Sequence, residues 1–223
     1  MPHHSHRWPR YRLGYEVAKR VLDVVVSLAA IVALAPLLAA LCLLTRCVSP
    51  GPALFRQERL GRNSRPFTML KLRTMYCGNS DKLHRDYVAG LASPGQASMA
   101  GPRGLLKLES DPRVTPVGGW LRRTSLDELP QLFNVLTGKM SLVGPRPVLP
   151  WEAQIWPLTY PAYTRRFEVK PGITGLWQVS GRGRLAAAES IELDAEYVRR
   201  RSFGLDLLIL ARTVPALLRG GTA

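Results

Sequence analysis

VVVSLAAIVALAPLLAALCLLT, residues 24–45, decides the fold: it is 22 residues long and carries no charge. As a helix it extends about 33 Å, against roughly 30 Å for a hydrocarbon core. A cleaved signal peptide does not fit, because Arg46 and Ser49-Pro50-Gly51-Pro52 stand where a small-residue cleavage site belongs. Pro36, preceded by Ala35, falls near the middle of the run. A proline there removes a backbone donor and clashes with the preceding turn, so it kinks or breaks the helix. Both flanks are basic. Arg7, Arg10, Arg12, Lys19 and Arg20 precede the run, and seven basic residues against one acid, Glu58, lie between Arg46 and Arg73. Cationic flanks prefer the cytoplasm. Two readings stand: a helix that enters, bends at Pro36 and leaves by the same face, or an ordinary span with a tolerated proline.

Asp23, at the edge of the run, is costly there unless paired. Lys19 at i−4 and Arg20 at i−3 make a local ion pair the expected solution. The 223-residue chain is 46% hydrophobic, enough for a real core, and carries a formal net charge of +15. That excess implies an anionic partner: nucleic acid, acidic membrane or phosphorylated substrate. Cys42, Cys47 and Cys77 form no CxxC pair, which argues against zinc and against a disulfide framework. His3, His4 and His6 lie in an expected unstructured terminus.

The sequence predicts an α+β fold: an N-terminal re-entrant membrane helix and a compact, mainly helical cytosolic domain with a small β-hairpin and interfacial amphipathic helices. Residues 1–14 read as a flexible basic tail, 15–48 as a kinked membrane-embedded helix, and 49–223 as the catalytic domain. Residues 53–57 and 67–73 read as strands around the turn 61–66. Residues 79–104 read as a variable, partly helical loop, and helices are expected over 152–168 and 185–200. Glu192 and Asp194 read as surface charge. The apolar stretch 203–212, continued by Val214, Leu217 and Leu218, is too short to span. It reads either as an interfacial element or as a packed core helix.

The densest chemistry lies in Arg122-Arg123-Thr124-Ser125-Leu126-Asp127-Glu128-Leu129-Pro130-Gln131. Leu129, Leu132, Phe133 and Leu136 recur at i, i+3, i+4 and i+7, which predicts a helix buried on that stripe. Ser125 and Glu128 match a capping box, whereas Asp127 as N-cap leaves Pro130 in the first turn, where proline is tolerated. Either way Asp127 sits at a helix N-terminus, which keeps it ionised. An ionised carboxylate can attack phosphorus or hold Mg²⁺. A plain helix cap beside a solvated glutamate is the simpler alternative. Arg146 stands between Pro145 and Pro147, a stiff mount for a guanidinium, and the glycine-rich loop 170–181 ends at Arg182. There is no GxxxxGK[ST] loop and no strand-linked GxGxxG.

Taken together, KRVLD at 19–23, the proline-interrupted apolar helix, LFRQERLGRNSRPFTMLKLRTM at 54–75, LRRTSLDELPQLFNVLTGKMSLVGPRP at 121–147 and KPGITGLWQVSGRG at 170–183 resemble the bacterial sugar transferase family, the monotopic polyprenyl-phosphate phosphoglycosyl transferases. The resemblance runs from about Tyr15 to Gly220, with Ala35-Pro36 where the family often has Ser-Pro. The length is similar to the minimal form of the family, without the extra N-terminal membrane helices of larger members. The resemblance implies transfer of a sugar-1-phosphate from a UDP-sugar to undecaprenyl phosphate, with release of UMP. It implies Asp127 as nucleophile and Mg²⁺ ligand, Glu128 beside it, and Lys71, Arg73, Arg122, Arg146 and Arg182 as phosphate and nucleotide contacts. It implies a helix that turns back at Pro36, placing the catalytic domain on the cytoplasmic face of the bacterial inner membrane. The expected partners are the two substrates and acidic membrane lipids, and not nucleic acid. Oligomeric state is open, a homodimer included, as are the sugar and the pathway. Two competing classes remain: a glycosyltransferase releasing UDP, and a non-catalytic basic binding protein.

Overall fold

The computed structural model describes residues 10–78, 82–92, 111–181 and 185–218. Helix α1, Arg10–Val48, is 39 residues long and continues through Pro36. Its most apolar part is only 11% buried by the rest of the protein. Val17, Val21, Val25, Val32 and Leu43 each expose more than half of their surface. Apolar side chains left uncovered over this length belong in lipid.

Both ends of α1 dock on the same domain. Near its start, Tyr15 Oη donates to Asp206 Oδ2 at 3.0 Å and Lys19 Nζ pairs with the same oxygen at 2.9 Å. Arg20 donates to the carbonyls of Val135 and Leu136 at 2.7 and 2.8 Å. Asp23 is 3% exposed and accepts from Ser141 Oγ at 3.0 Å and from the Leu142 N–H at 2.9 Å. The expected local pairing with Lys19 or Arg20 is therefore corrected: tertiary partners take all three side chains, because the domain offers a buried acid and open carbonyls at that height. Near the other end, Leu41 packs with Leu72 and Leu121, and Cys42 lies against them.

Strands β1, Leu54–Leu60, and β2, Pro66–Leu72, form the predicted antiparallel hairpin, with Phe55 opposite Lys71 and Arg59 opposite Phe67. A 3₁₀ turn, Arg62–Ser64, joins them, and Asn63 and Ser64 hold positive φ of 57° and 56°. Helices α2, Lys82–Ala92, and α3, Pro116–Thr124, follow. Next come α4, Gln131–Leu136, and β3, Ser141–Val143. Asn134 of α4 ties to the hairpin by accepting from the Leu70 N–H and donating to Thr68 O. Helix α5, Glu152–Thr159, runs into a 3₁₀ segment, Pro161–Glu168.

Strand β4, Gly172–Thr174, pairs in parallel with β3, and α6, Leu176–Ser180, α7, Ala187–Arg200, and α8, Phe203–Leu218, complete the order. A Cβ on Gly172 would collide with the backbone of Gly144, and one on Gly144 would lie 2.5 Å from Lys170 O. The β3–β4 joint therefore requires both glycines. The main core gathers Met69, Val135, Met140, Val143, Tyr197, Val198 and Ile209, with Ala30 and Ile31 of α1 packed on it. A second core lies around Trp156, Tyr163 and Ile191. Helix α8 buries Asp206 and Ile209, as a packed helix would, and leaves Leu207, Leu208 and Val214 exposed.

Candidate active site

Thr115 caps α3 by accepting from the Gly118 N–H at 2.9 Å, and Pro116 follows at the first position, where its missing donor costs nothing. The helix stops because Ser125 turns left-handed, with φ 58° and ψ 18°. Asp127 and Glu128 then lie on a separate 3₁₀ turn, Leu126–Glu128, before α4. Both expected caps are corrected. Ser125 ends α3 without a side-chain cap bond, and Pro130, not Asp127, precedes α4. The left-handed residue Ser125 and the 3₁₀ turn after it delay the start of α4 to Gln131. The buried face of α4 is Gln131, Leu132, Asn134 and Val135, while Phe133, expected inside, is 42% exposed. Asp127 itself is buried, at 6% exposure.

Glu128 Oε1 receives two cations, Lys71 Nζ at 3.2 Å and Arg146 Nη1 at 3.0 Å. Lys71 comes from β2. Arg146 comes from the loop after β3, where Pro145 and Pro147 limit its backbone. The Glu128 charge pushes the Arg146 pKa above its ordinary value despite burial. Lys71 is pushed below its ordinary value because desolvation outweighs the attraction of Glu128 and Asp127. Three segments distant in sequence thus converge beside Asp127.

Sequence reading missed two further charges here. Arg59 donates to Pro147 O at 3.2 Å and lies 3.7 Å from Glu152 Oε2, and burial lowers its pKa to about 10. Glu152 Oε2 also accepts from the Leu149 N–H at 2.5 Å. A signal existed for Arg59. Phe55, Gln57 and Arg59 alternate onto one face of β1, and Phe55 pairs directly with Lys71, so Arg59 and Lys71 share that face. No local pattern distinguishes Glu152.

The other sequence candidates have other surroundings or lie outside the described residues. Arg73 donates to Ser49 O at 2.6 Å, and also to Pro50 O and to Cys77 Sγ, so it clasps the exit of α1 against the hairpin. Arg122 is in the last turn of α3, and its charge acts on Asp111. Arg182 lies outside the described residues, and Pro36 lies within α1. Asp194, read as surface charge, is corrected. It is 2% exposed and pairs with Arg166 at 2.8 Å, and burial raises its pKa to about 6. Helix α7 turns that side toward the second core, which a short acidic motif does not reveal.

Among the described residues, no group of three or more His, Cys, Asp or Glu comes together. Apart from Glu152, which Arg59 and the Leu149 N–H engage, the carboxylates at this site are the adjacent Asp127 and Glu128. That set fits Mg²⁺, which is commonly held by one or two carboxylates plus substrate phosphates and water, and not by an all-protein cage.

The family model described as bacterial sugar transferase matches residues 14–220. An exopolysaccharide production protein of Sinorhizobium fredii is 38% identical over 201 residues, covering 90% of this chain and 85% of that protein. A UDP-glucose:undecaprenyl-phosphate glucose-1-phosphate transferase of Caulobacter vibrioides is 42% identical over 217 residues, covering 94% of this chain and 73% of its own. A protein of the same description from Escherichia coli is 39% identical over 201 residues, covering 88% of this chain but 39% of its own length.

Proposed function

The chain belongs to the bacterial sugar transferase family, and from that premise we propose that it transfers a sugar-1-phosphate from a UDP-sugar to undecaprenyl phosphate at the cytoplasmic face of the bacterial inner membrane. The observation that carries the reading is the convergence of Lys71 and Arg146 on Glu128, directly beside Asp127, in a domain docked to an apolar helix.

In the first step an Asp127 carboxylate oxygen attacks the sugar-bearing phosphorus of the UDP-sugar. The bond from that phosphorus to the UMP oxygen breaks, UMP leaves with the electron pair, and Asp127 holds the sugar phosphate as an acyl phosphate. In the second step an oxygen of undecaprenyl phosphate attacks the same phosphorus. The acyl-phosphate bond breaks and the Asp127 carboxylate is restored. Glu128 holds Lys71 and Arg146 where they oppose charge on the transferring phosphoryl group. Asp127, with Glu128 adjacent, would hold Mg²⁺, which supplies charge neutralisation of the diphosphate. One reacting carboxylate used twice predicts ping-pong kinetics.

The membrane arrangement belongs to the same proposal: α1 dips into one leaflet and returns. Supporting it, Ile31 and Leu41 both pack on the catalytic domain, so the stretch between these two anchors is only the nine residues Val32–Ala40. At 1.5 Å per residue they extend about 14 Å, half of a hydrocarbon core. A crossing helix would carry one of its docked ends to the opposite face.

The test is nucleotide release from a panel of UDP-sugars, with purified protein, Mg²⁺ and undecaprenyl phosphate. UMP release with one sugar, abolished in Asp127→Asn, is expected, and it names the sugar. Release of UDP instead would point to transfer of the sugar alone. Activity retained in Asp127→Asn would remove the nucleophile assignment.

A further inference from the structure

A small recess, open to solvent, lies beside the first turns of α1 and shares no residue with the Asp127–Glu128–Lys71–Arg146 cluster. Five cations line it: Lys19 and Arg20 of α1, Arg62 of the hairpin turn, Lys170 before β4, and Arg201 after α7. Only two acids face them there, Glu16 and Asp23. Asp23 is already engaged by Ser141 and Leu142, and Lys19 by Asp206.

Lys170 is the telling group. Its Nζ and Arg20 Nη2 lie 3.6 and 3.4 Å from where a Cβ on Gly138 would be, so two like charges crowd one glycine. Among the described residues Lys170 has no hydrogen-bond or ion-pair partner. It is half-buried, and desolvation first, then the Arg20 charge, lowers its pKa. A half-buried ammonium held against a guanidinium is unfavourable unless an anion is shared between them. Arg20 spends two of its five N–H groups on the carbonyls of Val135 and Leu136, which leaves donors for an anion.

The surroundings indicate which anion. Val17, Val21 and Val25, on the same stretch of α1, expose 56%, 57% and 59% of their surface, and Leu207 of α8 exposes 45%. An apolar face beside a cationic recess matches a lipid, with acyl chains on the valines and a phosphate in the recess. We propose that this pocket binds the phosphate of a membrane phospholipid headgroup through Lys170 and Arg20. The site is separate from the transfer reaction, and its test stands independently of that reading.

The experiment measures the melting temperature of the full chain in a neutral detergent at constant ionic strength, with dihexanoyl-phosphatidylglycerol or with inorganic phosphate. The lipid at several-fold over its Kd is expected to raise Tm by about 2–4 °C, and inorganic phosphate by less. Lys170→Gln should lose the shift, with a ligand-free Tm equal to or above the parent's because a like-charge contact is gone. Lys170→Arg should keep the shift. An equal response to inorganic phosphate would overturn the lipid assignment. No shift in the parent, or an undiminished shift in Lys170→Gln, would overturn the site.

Discussion

Glu128 Oε1 lies 3.0 Å from Arg146 Nη1, joining a carboxylate on a 3₁₀ turn to a guanidinium on a loop between two prolines. Lys71 Nζ meets the same oxygen at 3.2 Å. One glutamate thereby positions two cations from different segments, and Asp127 sits one residue away.

Breaking this arrangement should lower kcat more than it raises KM. Glu128→Gln removes the charge that holds Lys71 and Arg146 and is expected to slow nucleotide release by about 10²–10⁴-fold. Arg146→Lys keeps a charge but loses the planar fork, so it should fall between the parent and Arg146→Ala. Steady-state kinetics on the three variants check this. A parent-like kcat in Glu128→Gln would reduce Glu128 to a structural clasp.

Asp23 anchors α1 to β3. Asp23→Ala would leave the Leu142 N–H and Ser141 Oγ buried without their acceptor, a cost of about 1–3 kcal/mol. Thermal unfolding in detergent should show a clear drop in Tm. An unchanged Tm would mean that water or a neighbouring group replaces the carboxylate.

Asp194 gives a pH signature of unusual sign. Its folded pKa, about 6, lies above its unfolded value, so between about pH 4 and 6 the folded state holds a proton that the unfolded state has lost. Its contribution to stability therefore falls as pH rises through that window, by about 2–3 kcal/mol, and is flat above it. Asp194→Asn removes this dependence while leaving Arg166 without its anion at every pH. The Tm of the parent relative to Asp194→Asn should decline from pH 4 to 6 and then level off. A difference constant with pH would show that Asp194 stays ionised throughout.

The topology proposal predicts that both ends of α1 face the cytoplasm. Cys42, Cys47 and Cys77 are free, so a chain with these replaced and Leu13→Cys introduced isolates the N-terminal end. A membrane-impermeant thiol reagent applied from the periplasm should leave it unlabelled. Adding Pro36→Ala should not change that, because the Lys19, Arg20 and Asp23 contacts hold the N-terminal half to the domain. Periplasmic labelling of the Leu13→Cys parent would establish a spanning helix.

Much of the charged cluster around Glu128 was legible. The alternation at 54–60 and 66–72 announced the hairpin that presents Lys71. The prolines at 145 and 147 announced a rigid Arg146. The start of the helix after Asp127 was misread, since Ser125 and Asp127 both suit a cap by type and spacing, while the backbone puts them on a left-handed residue and a separate 3₁₀ turn before α4. Arg73 looked equivalent to Lys71 two residues earlier. It lies just past the end of β2, where the carbonyls of Ser49 and Pro50 take its guanidinium.

By itself the sequence determined the apolar helix, the hairpin, the family and the pair Asp127–Glu128, because each rests on local periodicity or on a contiguous motif. Only the tertiary structure decided the partners of the charges. Lys19 found Asp206, Asp23 found Ser141, Asp194 found Arg166, and Lys170 was left facing Arg20. A charged side chain carries no local record of its partner. Its pairing is set by which segments the packed core brings to within a few ångströms, and the cost of burying it unpaired makes that choice binding.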